Sequence, residues 1–531
     1  MRLDYVSPLP PVRSGIADYS ADLLPHLAAR ADVRLIQLPD QPVAPEIAAR
    51  WPVAPYEAAG HDEGTAQGAR LPLYQMGNNR WHEAVMRLAF RLPGVLTLHD
   101  ILLHHILLDV TLGRHEYAPY VERLARDHGW IGRAAAVVKR WGAYGDAVVF
   151  SLPAHRALLR AQRGVLVHSE WAAGVIREED PEIRVRAIPM GIPLPPPADL
   201  AAGRRIRERF GLPPEARVLG SFGFQTPIKR TGAVIRALAR PGLEAVHLLV
   251  VGEVSPAVDL LGEARRAGVA GRVHLTDFLP YEEFAAAIAA VDLCLNLRYP
   301  TAGETSASLL RVLAMGVPAI VSDYAQFADL PREVALRVPL GEEEEDVLAA
   351  MLRDLLSRPE RLQAMGEAAR ELIRSRHAPE RSAAAILDAA EEWRDLPPLD
   401  DRPPDVPAPT SLAWGRLDGS LEVEGAELPW PEGERRTLRI RLRNTGFARW
   451  LAGEKGPGGV AVVVKLFADG QDILEGRPWI ALKRDLLPGE EAVLSTEVRR
   501  PPGPAWLWIE PHLFGGLGIS KYGGPYWERH L

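Results

Sequence analysis

Residues 298–323, RYPTAGETSASLLRVLAMGVPAIVSD, constrain the fold more than any other stretch of the chain. They predict a loop, a helix and a strand in succession. Gly303 interrupts the chain after an apolar run, and Gly316 ends the helix before the buried run AIVSD. Good caps for the helix start are Thr305, Ser306 and Ser308. A helix that opens with small polar residues presents free amides and the positive end of its dipole, which suits phosphate. Glu304, in the opening turn, is either a helix-start residue or part of that site.

The succession of strand, loop and helix recurs along the chain in two series. The first series starts with RLDYV and a helix whose apolar face is Tyr19, Leu23, Leu24 and Leu27, and it runs to about residue 190. The second starts at RVLGSFGF, beyond the proline-rich stretch IPLPPPADL. Such series form parallel sheets, with ligands at the carboxyl ends of the strands. The predicted class is therefore α/β, with two doubly wound domains.

Candidate site residues stand where predicted strands end. Gly15 lies in the loop after the first strand, where glycine allows close backbone approach but is equally a common turn residue. His99 and Asp100 end the run GVLTLHD, and His99 is either a structural histidine or part of a site. Lys229 follows the strand that ends at Gly223, and its charge suits a diphosphate. The spacing GxGxxG is absent from the first loop, so the usual dinucleotide fingerprint is missing.

The last part of the chain changes character. Residues 394–411 are rich in proline and acidic residues and predict a linker. Residues 412–531 contain five short β-type runs, LEVEGAEL, TLRIRLRN, GVAVVVKLF, AVLSTEVRR and AWLWIEPHL, separated by turns. We expect a sandwich of immunoglobulin type here. Its tryptophans form either core packing or a surface on which sugars stack.

Composition excludes several classes. The net charge is −7 over 531 residues, so nothing favours nucleic acid as a partner. Cys294, the single cysteine, lies in an apolar run and cannot form an internal disulfide. No signal peptide, membrane span or metal-ligand cluster is visible, and we expect a cytoplasmic protein. The stretch 121–150 combines basic residues with Trp130 and Trp141, and is either a packed helix or a peripheral contact with the inner face of a membrane.

Five pieces of the sequence, in this order and spacing, resemble the retaining glycosyltransferases of GT-B fold, family 4. They are the loop with Gly15, LHD at 98–100, GFQTPIK at 223–229, DFLP at 277–280, and GETSASLLRVLAMGVPAIVSD. The resemblance covers about residues 1–393. It implies an acceptor-side domain at 1–190, a domain for the nucleotide sugar at 191–375, and a last helix at 376–393 that packs back on the first domain.

The resemblance also implies roles for individual residues. The catalytic set would be His99, Lys229 and Glu304, with Lys229 on the diphosphate and His99 and Glu304 near the donor sugar. The donor-binding set would add Gly15, Gly223, Phe224, Gly252, Phe278, Leu279, Thr305, Ser306, Ala307 and Arg311. No metal and no cofactor besides the nucleotide-diphosphate sugar is expected. The acceptor would be a glycan or a lipid-linked saccharide, as in polysaccharide biosynthesis.

The chain departs from that family at three positions. The family's first glutamate would be expected at Gly303, one place before Glu304. Phe224 stands where the family usually has an arginine, and Arg311 where it has the glutamate that binds ribose. Three functions therefore remain open: a retaining hexosyltransferase, a catalytically weak GT-B protein that binds glycans or acts as a scaffold, and another GT-B enzyme such as a nucleotide-sugar epimerase. The β-domain would hold a growing glycan or mediate self-association.

Overall fold

The computed structural model describes residues 1–61, 69–140, 147–195, 200–404, 410–411, 417–446, 448–453, 459–468, 471–474, 479–513 and 525–531. The chain divides into two compact units. Residues 1–128 and 135–403 form the first unit, and residues 129–134 and 404–531 form the second. Both α/β domains belong to the first unit.

The N-terminal sheet is parallel, with the strand order β3-β2-β1-β4-β5-β6-β7. The sequence predicts residues 53–70 as loop, but the structure places the edge strand β3 there. That strand has three residues, too few for a hydrophobic period to show. The strands are β1 (Arg2–Val6), β2 (Asp32–Gln37), β3 (Val53–Pro55), β4 (Leu71–Met76), β5 (Val95–Leu98), β6 (Gly164–Val167) and β7 (Val185–Ala187).

Helices cover both faces of this sheet. The first begins where Ser14 Oγ accepts a hydrogen bond from the Ile16 amide (3.3 Å), and it buries the predicted apolar face. The helices of this part of the chain are α1 (Gly15–Ala28), α2 (Pro45–Ala48), α3 (Glu83–Arg91), α4 (His104–Val110), α5 (Tyr117–Arg140), α6 (Ala147–Ser151), α7 (Arg156–Arg160) and α8 (Glu170–Glu179). Helix α5 has a break at Gly129, and its residues 129–134 belong to the second unit.

The second α/β domain has a parallel sheet in the order β10-β9-β8-β11-β12-β13. Its strands are β8 (Arg217–Phe222), β9 (Val246–Val251), β10 (Val273–Leu275), β11 (Leu293–Asn296), β12 (Ala319–Ser322) and β13 (Ala335–Val338). Its helices are α9 (Leu200–Arg209), α10 (Thr231–Leu238), α11 (Leu260–Arg266), α12 (Tyr281–Ala289), α13 (Ala307–Ala314), α14 (Glu344–Leu356) and α15 (Pro359–Arg376). The strand order reverses between β1 and β4 in the first sheet and between β8 and β11 in the second. Ligands of such sheets bind at these switch points.

The chain crosses between the two α/β domains twice, and the two crossings are bonded together. The Ile192 amide donates to the His377 carbonyl oxygen (2.8 Å), and His377 Nδ1 lies 2.9 Å from the Met190 carbonyl oxygen. The chain then forms α16 (Pro379–Trp393), which packs against α1 and β6. Trp393 fills this contact so closely that a Cβ on Gly164 would lie 2.0 Å from its ring.

The second unit is antiparallel. Its strands are β14 (Gly419–Glu424), β15 (Arg435–Asn444), β16 (Val460–Ala468), β17 (Gln471–Asp472), β18 (Trp479–Ala481), β19 (Glu491–Arg499), β20 (Trp506–Leu513) and β21 (Trp527–His530). One sheet has the order β14-β15-β19, and in the other β18 and β20 pair with β16. Trp430 and Trp450 are fully buried in the core. The sequence predicts the five longer strands but not β17, β18 and β21.

The basic stretch 121–150 forms the end of α5 and α6, with residues 141–146 outside the described part of the chain. Arg123 pairs with Asp127 (2.6 Å), and Arg126 with Asp401. Among the helices that the structure describes, we find none that is both long and apolar enough to span a bilayer.

Candidate active site

The switch point of the second sheet brings two loops together. The loop after β8 contains Gly223 and a 3-10 helix that ends at Lys229, and the loop after β11 leads through Glu304 into α13. Because β8 and β11 are neighbours in the sheet, residues far apart in sequence become adjacent here. Lys229 and Glu304, which the sequence singles out separately, thus lie at one place.

Lys229 is buried, with 8% of its surface exposed. Its ammonium donates to the Phe222 carbonyl oxygen. Gly223 makes room for it, because a Cβ on Gly223 would lie 2.9 Å from Lys229 Nζ. Burial, and next the positive charge of Arg298, lower the pKa of Lys229 well below its ordinary value. A negatively charged ligand beside Lys229 would compensate both effects.

The Glu304 carboxylate holds its own loop in shape. It accepts hydrogen bonds from Arg298 Nε (2.9 Å), Thr301 Oγ1 (3.0 Å) and the Ala302 amide (3.0 Å). Gln326 Nε2 donates to the Glu304 carbonyl oxygen (2.7 Å). A fifth of the Glu304 side chain remains exposed. The carboxylate therefore both fixes the loop and borders the open space in front of it.

Arg298 is a charged residue that sequence reasoning missed. It is 7% exposed, and its Nη1 atom is buried with no hydrogen-bond partner among the described residues. An unpaired donor on a buried cation is costly unless a ligand or a water satisfies it. The sequence shows Arg298 in the same loop as Glu304, but the burial of its side chain depends on the fold.

The start of α13 supplies backbone donors beside these side chains. Ser306 Oγ accepts from the Leu309 amide (3.3 Å) and lies 3.2 Å from Asn296 Oδ1. Ser306 is thus the N-cap of α13, with Thr305 just before it and Ala307 as the first helical residue. The first amides of a helix have no partner within it, and they carry the positive end of the dipole.

His99 lies across the cleft from this loop, in the N-terminal domain. It is buried, with Nε2 at 2.9 Å from Gln75 Oε1 and Nδ1 at 3.2 Å from His168 Nε2. The ring of Tyr19 packs edge-on against it. Burial, and next His168, lower the pKa of His99, and burial lowers the pKa of His168 to about 4. Both imidazoles are therefore held neutral at physiological pH.

Asp100, which the sequence places beside His99 at the end of a strand, gains its electrostatic partner only in the structure. Its Oδ2 accepts from the Asn78 amide (3.0 Å). Burial, and next the carboxylate of Glu304, raise the pKa of Asp100 to about 7. The sequence places Asp100 at a strand end but cannot show that a carboxylate of the other domain faces it.

The loops of the two domains meet at this point. The Leu102 amide donates to the Ala302 carbonyl oxygen (3.1 Å). A Cβ on Gly303 would lie 2.4 Å from Ile101 Cγ1, and Gly303 has a φ of +78°. Glycine is therefore required at 303 both by its backbone conformation and by the neighbouring domain.

The remaining predicted residues lie around this centre. Gly15 begins α1, where a Cβ would meet no atom within 4 Å, so protein packing does not explain the glycine. Gly252 packs against the Gly223 backbone, because its Cβ would lie 2.7 Å from the Gly223 carbonyl oxygen. Phe224 and Phe278 are exposed, by 53% and 58%, whereas the Leu279 side chain is in the core. Leu279 could therefore contact a ligand through its backbone but not through its side chain.

Arg311 points to the N-terminal domain. Its Nη2 donates to Asp22 Oδ2 of α1 (3.3 Å), and its guanidinium lies 5.5 Å from the centre of the Tyr281 ring. Burial raises the pKa of Asp22 and Asp18, and the charge of Arg311 opposes this. The ion pair joins α13 to α1 across the cleft.

A cavity of about 430 Å³ extends from Thr305 and Ser306 towards the crossings, where His168 and His377 line it. Among the described residues, no group of three or more His, Cys, Asp or Glu residues could hold a metal ion.

Comparisons with known proteins bear on the family and the fold of the chain. Residues 230–388 match the model of a family described as glycosyl transferase-like. No curated protein matches the chain. The structure of sucrose-phosphate synthase from Thermosynechococcus elongatus is similar with a TM-score of 0.50 and 18% identity, over 74% of this chain and 98% of that chain. Anabaena HepE with UDP is similar with a TM-score of 0.50 and 16% identity, over 74% and 100%.

A second HepE structure, with UDP and glucose, gives a TM-score of 0.50 and 14% identity over the same shares of the two chains. At these identities the structural likeness shows the fold, which is GT-B. Together with the family match, it supports a glycosyltransferase of GT-B type.

Proposed function

We propose that this chain is a retaining glycosyltransferase that moves a hexose from a nucleotide-diphosphate sugar to a glycan or lipid-linked acceptor without a metal. The observation that carries the proposal is the group of positive charges at the second switch point. Lys229 and Arg298 are both buried there, and Arg298 Nη1 has no partner among the described residues. UDP in the similar HepE structures supports a nucleoside diphosphate as the ligand.

The leaving diphosphate would be stabilised by three sources of positive charge: Lys229, Arg298 and the first amides of α13. These donors are fixed before the reaction and partly shielded from water, which makes them effective for a charge that develops in the transition state. A bound diphosphate would also raise the pKa of Lys229 and so favour its protonated form. This supply of charge is why we propose that no divalent cation is needed.

The sugar would lie between Glu304 and the N-terminal domain. In our proposal Glu304 borders the donor sugar and keeps its loop in place, while neutral His99 lies near the sugar with its two ring nitrogens held by Gln75 and His168. The acceptor hydroxyl attacks from the face that the diphosphate leaves, and a phosphate oxygen takes its proton. The new bond then has the configuration of the donor.

A second candidate is a catalytically weak GT-B protein that binds glycans or acts as a scaffold. Two observations favour it. Phe224 adds no charge beside Lys229, and Arg311 is engaged with Asp22 of α1 instead of the second switch point. In this case the cleft would bind a nucleotide sugar without turnover.

The test is the release of nucleoside diphosphate from a panel of sugar nucleotides, with and without EDTA and with glycan acceptors. We expect one donor to be turned over with EDTA present, with retention of the anomeric configuration by NMR. Lys229→Ala and Glu304→Ala should each lower turnover by ~10²-fold or more. Lys483→Ala and Glu333→Ala, exposed residues outside the site, are the matched controls.

Each alternative gives a different result. Polysaccharide binding without turnover of any donor favours the scaffold, and conversion of the donor sugar without release of nucleotide favours an epimerase. Normal rates in Lys229→Ala and Glu304→Ala, with retained melting temperatures, would remove these two residues from the site.

For the second unit we propose an immunoglobulin-like sandwich that holds a growing glycan or mediates self-association. Its two antiparallel sheets around one core support the first part. The outer face of the larger sheet supports glycan contact, because Trp508 and Tyr526 stack there with ring centres 4.6 Å apart and half of Tyr526 is exposed. Trp430 and Trp450, by contrast, are core residues.

A further inference from the structure

A groove of about 840 Å³ lies on the N-terminal domain, outside the residues assigned above. Its lining combines positive charge with aromatic rings. The arginines are Arg80, Arg87, Arg91 and Arg114, and the aromatic residues include Tyr56 and Trp81.

The groove opens from the carboxyl edge of the N-terminal sheet, the edge at which His99 and Asp100 follow β5. Its lining includes Gln41, Tyr56 and Arg80, which follow the carboxyl ends of β2, β3 and β4. From there it runs along α3. Asn78, two residues before Arg80, donates its amide to Asp100. Since the carboxyl ends of parallel strands share one edge, the groove and Asp100 lie at the same edge of this sheet.

Positive charge dominates this groove although the chain as a whole carries −7. Four arginines line it, against the carboxylates of Asp40 and Glu83. Glu83 is already paired with Arg87 and Arg114. Arg80 and Arg91 form no ion pair with a carboxylate among the described residues, so two cations are available to a ligand.

Aromatic rings hold these two free arginines. The Arg80 guanidinium lies 5.0 Å from the centre of the Trp81 ring, and that of Arg91 lies 5.5 Å from the centre of the Tyr56 ring. Trp81 is itself 37% exposed. A guanidinium matches a carboxylate in a bidentate pair, and an exposed aromatic face suits the apolar face of a sugar. Uronic acid residues present both groups, and a concave groove fits a chain better than a flat membrane.

We propose that this groove binds an acidic glycan chain, whose end enters the cleft as the acceptor. The acceptor role rests on the proposed glycosyltransferase function, but the binding of the chain does not. Binding depends on carboxylate groups along the glycan and on Arg80, Arg91 and Trp81.

The test is isothermal titration of the full chain with a galacturonic acid hexamer and with its methyl ester, which has the same sugars without the charge. We expect the acid to bind, with an affinity that falls as salt rises, and the ester to bind at least tenfold more weakly. Arg80→Gln combined with Arg91→Gln should weaken binding of the acid at least tenfold, and so should Trp81→Ala.

The matched control is Arg30→Gln combined with Arg50→Gln. Both are exposed arginines of the same domain outside the groove, and Arg50 lies over Trp51 as Arg80 lies over Trp81. We expect unchanged binding in this control. Equal binding of acid and ester, equal losses in both double variants, or binding to phosphatidylglycerol vesicles with none to the hexamer would overturn the proposal. Donor turnover with other acceptors would still stand in each of these cases.

Discussion

Asp100 has a carboxyl group that titrates near neutral pH, and its protonation changes how the free energy of unfolding depends on pH. In the unfolded chain its pKa returns to the ordinary 3.8, whereas burial and Glu304 raise it to about 7 in the folded chain. Between these values the folded state binds more protons than the unfolded state. The free energy of unfolding therefore falls as pH rises from about 4 to about 7, and this contribution is constant above that.

We predict that Asp100→Asn removes this decline. Asparagine keeps an oxygen for the Asn78 amide but cannot ionise, so the variant should be the more stable one at pH 8, by up to about 4 kcal/mol for three pKa units. Urea unfolding at pH 5 and pH 8 measures it. Asp388→Asn, an exposed position on α16, is the control. Parallel pH dependence in wild type and Asp100→Asn would contradict the assignment.

At the scale of residues, sequence reasoning found the groups that sit in motifs and missed those whose role depends on contact. Lys229 and Glu304 stand in recognisable loops, and the structure brings them to one switch point. Arg298 lies in the same loop, but its buried, unpartnered nitrogen arises only from packing. The pairing of Arg311 with Asp22 joins separate domains, and no local pattern encodes it.

The loop 297–306 between β11 and α13 shows how one element depends on a neighbour in the other domain. Gly303 has a positive φ and faces Ile101 with no room for a Cβ. Gly268 has a similar φ of +72°, with no atom within 4 Å of its added Cβ. A substitution at Gly268 therefore adds backbone strain alone, whereas a substitution at Gly303 adds backbone strain and a steric contact with Ile101.

We predict that Gly303→Ala costs more stability than Gly268→Ala. Both variants pay for a left-handed alanine, about 1–2 kcal/mol, and only Gly303→Ala also displaces Ile101. Because Ile101 is itself buried, Ile101→Ala should cost less stability in the Gly303→Ala background than alone, and as much in the Gly268→Ala background as alone. Denaturant unfolding of the three single and two double variants measures this. An equal fall in the free energy of unfolding at the two glycines would show that the contact with Ile101 costs no free energy.

At the scale of elements, periodicity predicted the long strands and helices, including α1 with its buried face and α13 with its cap. It failed for the short pieces. Strands β3, β17, β18 and β21 have two to four residues each. A pattern of period two needs more residues than that, and these strands exist because a longer neighbour offers its edge.

The whole molecule consists of two units with separate cores, and a ligand can distinguish them. Trp450 is fully buried in the core of the second unit, while the candidate nucleotide site belongs to the first. A ligand stabilises the part of the protein to which it binds. We predict two calorimetric transitions, of which UDP raises one.

Trp450→Ala should lower the other transition, because loss of a buried tryptophan costs about 3–5 kcal/mol, and should leave UDP affinity unchanged. Trp479→Ala, at an exposed tryptophan of the same unit, is the control. Calorimetry with and without UDP tests this, and a fall in UDP affinity in Trp450→Ala would contradict it.

The two crossings near Met190 and His377, which are hydrogen-bonded to each other, give the second α/β domain the topology of an insertion. Its first and last residues are held one hydrogen bond apart, and the N-terminal domain resumes with α16 as though the chain had not been interrupted. Sites with adjacent ends tolerate exchange of the inserted segment. Residues 192–377 could therefore be replaced by the corresponding segment of another GT-B protein while β1–β7 and α16 keep their own connections. Under the proposed function, such an exchange would change the donor and leave the proposed acceptor side as it is.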